Sequence, residues 1–161
     1  MDSKRVANYL VQYFNSAGDP ITNLKLQKLL YYIQVWYMVH FDGNLIFDEK
    51  PQAWVHGPVY PSVYRMYNEN NGLPITPIVC YSDEQLEEES NIIFHSEEGK
   101  EFIKAILSYY GGKSGFMLEL MTHNEEPWKK ARSGYDSIQP SNVEIDLLSA
   151  AEYYKNQLSG K

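Results

Sequence analysis

Residues 22–41 read TNLKLQKLLYYIQVWYMVHF, and this stretch decides the fold. Apolar side chains recur along it at the spacing of one helix face, starting at Leu26 and ending at Phe41. A second apolar stripe, from Leu24 to Met38, lies on the opposite side of the same helix. A helix that is apolar on two sides is usually buried at the centre of a domain. The segment therefore predicts a central helix around which the other elements pack.

The same helix keeps one narrow polar edge, which consists of Lys25, Lys28 and Tyr32. A polar edge on an otherwise buried helix needs a reason to stay accessible. These three residues are therefore candidates for contact with a partner protein.

Helical periodicity and capping residues predict further helices on both sides of this segment. The expected N-terminal caps are Ser3, Thr22, Ser96 and, in a capping box with Glu144, Ser141, and a further helix is expected from about Ser114 to Met121. Pro61 and Pro127 suit the first turns of two shorter helices. Short β-branched and aromatic runs at residues 75–81 and 91–95 favour a hairpin around the acidic segment between them. We expect a mainly α-helical, compact single domain over residues 1–161, with its core at about 3–155. About six helices surround the central one, with at most a small β-hairpin.

The 161 residues carry a net charge of −7, and 43% of them are hydrophobic, which is enough apolar material for one core. The segment from Asp83 to Glu101 holds eight acidic residues and one lysine, so it accounts for the entire charge excess. Such a run is either a solvated surface or a docking surface for a basic partner, with Glu87, Glu88 and Glu89 as candidates. No cluster of basic residues suits a nucleic-acid duplex, so direct contact with nucleic acid is not expected.

The location of the protein follows from what its sequence lacks. No apolar stretch reaches the roughly 20 residues that a bilayer crossing requires, and Met1 to Arg5 are not followed by an apolar leader. The single cysteine, Cys80, cannot form an internal disulfide. We therefore expect a cytoplasmic protein without membrane contact, and leave its oligomeric state open.

A search for catalytic or metal-binding patterns finds no complete one. No two of the four histidines share the i, i+4 spacing of paired metal ligands, and Cys80 lacks the context of a known nucleophile. The sequence Gly112-Lys113-Ser114 imitates the end of a phosphate-binding loop but lacks its first glycine. The sequence predicts no catalytic residue, metal or cofactor.

The tyrosines are the more informative residues, because tyrosine is enriched at protein interfaces. The tyrosines at helical spacing suit a core or its edge, namely Tyr9, Tyr13, Tyr31, Tyr109, Tyr110 and Tyr154. Tyr60, Tyr64 and Tyr67 follow the Gly57-Pro58 turn, and we expect them to point outward, with Tyr60 and Tyr64 as candidates for contact with a partner.

Three segments together resemble the Panacea domain, also called SocA-like and often phage-associated, in order and spacing. That family carries a Leu-Lys-Leu-Gln-Lys-Leu-Leu-Tyr segment, a Trp-x-x-Gly-Pro-Val turn and a later histidine with a Pro-Trp pair. Here these motifs fall within residues 24–31, 54–59 and 123–128. The motif residues singled out are Leu26, Gln27, Leu29, Tyr31, Trp54, Gly57, Pro58, Val59, His123, Pro127 and Trp128.

The resemblance implies an antitoxin, which is encoded beside a toxin and neutralises it, most often by direct binding. Some relatives are adaptors that deliver the toxin to a protease, so a protease is a second partner in that variant. The family is not known for catalysis, and an uncharacterised enzyme is the remaining alternative.

The motif residues also have a purely structural interpretation. Trp54, Gly57, Pro58 and Trp128 can fix a turn against the central helix, since glycine permits unusual backbone angles and proline stiffens the chain. The sequence alone leaves both interpretations open.

Overall fold

A computed structural model describes residues 1–160 of the chain, and over that range it contains eight α-helices and one two-stranded hairpin. The helices are α1 (Ser3–Ser16), α2 (Asn23–His40), α3 (Pro61–Tyr67), α4 (Asp83–Phe94), α5 (Glu97–Tyr110), α6 (Gly115–Asn124), α7 (Glu126–Ala131) and α8 (Leu147–Leu158). The strands are β1 (Gln52–Trp54) and β2 (Gly57–Val59), and a short 3₁₀ turn at Asn68–Asn70 follows α3.

Helix α2 is the centre of the fold, as the two apolar stripes predict. It packs against α1, α3, α5, α6, α8 and β2. Leu26, Leu29 and Ile33 are fully buried, and so are Tyr31 and Val35 on its other side. The prediction of a mainly helical domain around this helix is confirmed.

Several helix starts also follow the sequence. Thr22, Ser96 and Ser114 each accept a hydrogen bond from the backbone amide three residues later, as expected of N-caps. At the first helix, Asp2 is the cap instead of the expected Ser3. The acidic segment forms a helix of its own, α4, which Ser82 and Gln85 start with a capping box.

The last helix begins later than its predicted capping box. Its cap is Asp146, not Ser141, because the residues between them are extended. Ala53 donates a backbone hydrogen bond to Val143, and Ile145 donates one to Pro51, each at 2.8 Å. The segment around Glu144 thus pairs with β1 and cannot be helical.

The hairpin lies elsewhere than expected. Strands β1 and β2 pair antiparallel around residues 55–56, with Ala53 opposite Pro58. The predicted partner at residues 91–95 is instead the C-terminal end of α4. There Ile93 and Phe94 are buried in the core, so tertiary packing overrides the β propensity of this short run. Within residues 1–160, no helix combines the length and hydropathy needed to span a membrane.

We expect replacement of Leu29 or Ile33 by alanine to lower the free energy of unfolding by about 2 to 5 kcal/mol, because each change leaves a cavity in a close-packed core. Urea titration followed by circular dichroism measures the loss. Leu148→Ala is the control, since Leu148 is 72% exposed. Equal losses at all three positions would contradict the central place of α2.

Candidate functional site

The polar edge of α2 is not an accessible surface. Lys28 and Tyr32 are completely buried, so the expectation that they stay open to a partner is wrong for both. Lys25 is half-buried, and its ammonium group donates a hydrogen bond of 2.6 Å to the carbonyl of Gly111. Lys28 is buried because the hairpin turn covers it, and Tyr32 is buried because Tyr110 and Glu125 cover it.

Lys28 is held under the turn of the hairpin. Its Nζ donates a hydrogen bond of 3.0 Å to the carbonyl of Pro58. Gly57 has a φ of +97°, and a Cβ there would lie only 2.6 Å from Cε of Lys28 and 2.8 Å from Oγ1 of Thr122. Glycine is therefore required both by the backbone angle and by the closeness of the lysine. Burial lowers the pKa of Lys28 to about 7, which the charge of Glu119 partly opposes.

Gln27 and Asn23 tie the start of α3 to α2. The amide of Tyr60 donates to Oε1 of Gln27 at 2.8 Å, and Nε2 of Gln27 donates to Oδ1 of Asn23 at 2.9 Å. Asn23 in turn donates to the carbonyl of Tyr64 at 3.2 Å. Gln27 thus uses both its carbonyl oxygen and its amide nitrogen in hydrogen bonds within the protein, so it has a structural role here.

The two tyrosines after the turn differ from each other. Tyr60 is fully buried, with its ring edge-on to Phe47 at 5.0 Å, so the expectation that it points outward is wrong. Tyr64 is 37% exposed and contacts the ring of Trp54 edge-on at 4.9 Å. Tyr67, which was also expected to point outward, is buried in the core, so only Tyr64 of the three is available at the surface.

The third motif fastens α6 and α7 to the hairpin. Nε1 of Trp128 donates to the carbonyl of Trp54 at 2.9 Å, and the ring of His123 stacks on Trp128 at 4.1 Å. Arg132 donates to the carbonyl of Ala53 at 2.9 Å. Pro127 is buried in the first turn of α7. These contacts agree with the structural interpretation of the motif residues.

A second buried cluster surrounds Tyr32. Its hydroxyl donates to the carboxylate of Glu125, and its ring stacks on Tyr110 at 4.2 Å. Burial raises the pKa of Glu125 to about 7. Sequence reasoning missed Glu125, because it lies far along the chain from Tyr32 and only the fold brings them together.

A groove of about 1010 Å³ opens beside the turn of the hairpin, and we call it the hairpin groove. Its lining comes from β1, β2, the first turns of α2, the end of α3 and the loop at residues 135–142. Lys28, Glu119 and His56 are its only ionisable lining residues apart from tyrosines, and Nδ1 of His56 lies 2.8 Å from Oε1 of Glu119. Across residues 1–160, no three side chains of His, Cys, Asp and Glu are grouped to hold a metal ion.

The acidic surface lies on α4 and the start of α5. Glu87 and Glu88 are exposed there, although Nζ of Lys100 lies 3.5 Å from Glu87. Glu89 accepts two hydrogen bonds of 2.8 Å from Arg5, which lower the pKa of its carboxyl group. Glu89 therefore joins α4 to α1 and is not free for a partner, unlike Glu88.

The motif residues join the buried helix α2, the hairpin and α7 into one unit. Comparison with known protein families identifies the class of protein to which this unit belongs. A family model described as "Antitoxin SocA-like, Panacea domain" matches residues 26–129. The match covers well over half of the chain and contains the second and third motifs and all of the first except Leu24 and Lys25, so the chain belongs to this family.

One curated relative is Antitoxin SocA from Caulobacter vibrioides (strain NA1000 / CB15N). It is 39% identical over 70 residues, which are 44% of this chain and 37% of the relative. The aligned part thus spans little more than a third of the relative's length. No solved structure matches the chain.

We expect Gly57→Ala to lower the free energy of unfolding by about 2 to 4 kcal/mol, combining backbone strain at positive φ with a collision against Lys28. Gly43→Ala is the matched control, because Gly43 has a φ of +82° but nothing within 4 Å of a Cβ. It should cost about 1 to 2 kcal/mol. Thermal and urea unfolding compare the two, and equal losses would show that the contact with Lys28 is not tight.

We expect the two buried ionisable groups to give opposite pH dependences of stability. Between about pH 7 and 10, unfolded Lys28 binds a proton that the folded protein has released, so its contribution rises with pH. Between about pH 4 and 7, folded Glu125 holds a proton that the unfolded chain has lost, so its contribution falls with pH. Each slope is at most about 1.4 kcal/mol per pH unit.

Lys28→Met should remove the alkaline rise, and Glu125→Gln should remove the acidic fall, in urea titrations at pH 5, 7 and 9. Lys130→Met and Glu152→Gln make the same chemical changes at exposed positions and serve as controls. If the free energies of unfolding of a variant and of the wild type changed with pH in parallel, the replaced group would ionise alike in the folded and unfolded chains.

Proposed function

We propose that this protein is an antitoxin that neutralises a toxin encoded beside it by binding that toxin directly. The family match over residues 26–129 is the observation that carries the proposal. The partner is a protein, and the proposal involves neither nucleic acid nor a membrane, with both proteins in the cytoplasm. Its action is binding and not catalysis.

The arrangement of the motif residues supports a binding role. Lys28 and Glu125, the groups with pKa values near 7, already have protein partners in Pro58 and Tyr32. Gln27, Gly57 and the other motif residues likewise hold the scaffold together. The hairpin groove and the acidic surface are two surfaces that stay open to a partner.

The acidic surface suits the approach of a toxin. Toxins that act on RNA or nucleotides carry basic surfaces, and complementary charge accelerates encounter more than it strengthens the final complex. Glu84 and Glu88 stand one helical turn apart on α4, are exposed and form no ion pair within residues 1–160. We assign them, with Glu87, to steering of the toxin.

Co-expression tests the antitoxin role. Cells carrying the adjacent gene should stop growing alone and recover when this protein is supplied, and the two proteins should elute together in gel filtration. Unchanged growth arrest without a complex would reject the proposal. Recovery with accelerated loss of the toxin and no stable complex would favour the adaptor variant, in which a protease removes the toxin.

We expect Glu84→Lys with Glu88→Lys to slow association with the toxin by about tenfold at low salt, and the difference to shrink as the Debye length falls to about 8 Å. Stopped-flow or surface-plasmon measurements give the rate. Asp19→Lys with Glu152→Lys changes the net charge equally at exposed positions outside α4 and α5, and should have a smaller effect. The melting temperature should fall slightly in the α4 pair, because Glu84 lies in the first turn of that helix, and stay nearly unchanged in the control pair. Equal slowing by the two pairs would reject steering by α4.

A further inference from the structure

The hairpin groove is large for a small-molecule site. Its volume of about 1010 Å³ stands at the upper end of the roughly 300 to 1,000 Å³ that ligand pockets occupy. It lies directly over the Trp-x-x-Gly-Pro-Val turn, with Lys28 below and Tyr64 at one side. A space of this size can accommodate a short segment of a polymer.

The walls of the groove offer free carboxamides. Asn68, Asn71 and Asn142 line it, are exposed, and make no side-chain hydrogen bond within residues 1–160. A carboxamide both donates and accepts hydrogen bonds, as a peptide group does. The three asparagines therefore match the alternating N–H and C=O groups of an extended main chain.

The floor of the groove adds a buried donor. Lys28 lines the groove although it is fully buried, and its Nζ makes a single hydrogen bond within the described chain, to Pro58. Whether neutral or protonated, the lysine amine has two or three N–H groups, so at least one donor remains for an acceptor that enters from the groove. Glu119 also lines the groove and its negative charge would repel a carboxylate, so a neutral carbonyl oxygen suits this position better.

An aromatic wall completes the groove. Trp54 and Tyr64 meet edge-on there, and Tyr64 and Tyr135 are each 37% exposed. Tyrosine and tryptophan bring large rigid area to interfaces and accept apolar side chains. The chemistry of the groove is thus amide and aromatic, with no excess charge.

We propose that the hairpin groove binds an extended, uncharged peptide segment of the toxin. The main chain of that segment hydrogen-bonds to Asn68, Asn142 and Lys28, and one of its apolar side chains packs on Trp54 and Tyr64. This assignment rests on the proposed antitoxin function and names the contact that holds the complex. The acidic surface acts on the approach of the toxin, and the groove acts on the lifetime of the complex.

Groove-filling variants test the assignment. Asn68→Trp and Asn142→Trp each place a bulky ring in the groove, whereas Asn44→Trp makes the same change at an exposed position outside it. With purified, catalytically inactivated toxin, we expect both groove variants to dissociate at least about tenfold faster than wild type, with little change in association rate. Asn44→Trp should behave as wild type, and melting curves check that all three fold.

Synthetic peptides identify the occupant. Overlapping ten-residue peptides that cover the toxin are tested for displacement of the toxin from the wild-type protein. We expect displacement by neighbouring peptides that share one uncharged stretch. We expect Lys28→Met to weaken the binding of those peptides about tenfold. If the toxin dissociated from both groove variants at the wild-type rate, the groove would not be its binding site. The proposed antitoxin function would be unaffected by that result.

Two other outcomes also decide. Faster dissociation from the groove variants, together with no competing peptide, would reject the claim that an extended segment fills the groove. The toxin would then bind through a folded surface. Failure of the wild-type protein to bind or neutralise the toxin would reject the proposed function itself, and with it the occupant of the groove.

Discussion

Burial of α2 on every side is the constraint on which the rest of the structure depends. A polar group that leaves water must find a partner inside the protein, or its burial costs several kcal/mol. Gln34 illustrates this, because it donates to the carbonyl of Phe47 at 2.7 Å and accepts from the amide of Ile46 at 3.1 Å. Lys28 likewise finds a partner, because it donates a hydrogen bond to the carbonyl of Pro58. The polar side chains of α2 therefore fix the path of the loop that follows it.

This constraint explains how two short strands can hold a defined position. A hairpin of three-residue strands is marginal on its own. Here Lys28 holds its second strand, Arg132 and Trp128 hold the first through backbone carbonyls, and residues 143–145 pair with its other edge. The hairpin is rigid because three parts of the chain converge on it, so the groove beside it has stable walls.

Much of this architecture was predictable from local sequence. The two apolar stripes of α2, the caps Thr22 and Ser96, and the helix start near Ser114 depend on neighbouring residues and were predicted correctly. The family was also recognisable from three motifs. What failed depends on distant contacts: the burial of Lys28, Tyr32 and Tyr60, the place of the hairpin, and the start of α8. A helical projection shows that an edge is polar, but it does not show which loop will cover that edge. No residue near Glu125 in the sequence indicates that its carboxylate accepts a hydrogen bond from Tyr32.

The boundaries of the family match have a consequence for how the domain is divided. The matched range, residues 26–129, begins inside α2 and excludes both α1 and α8. Yet both helices pack on α2, and Leu10 and Tyr154 bury their side chains against it as part of one core. A fragment cut at the matched boundaries would expose two faces of its central helix and would tend to aggregate. The matched range is thus an open core, which the two flanking helices of this chain close.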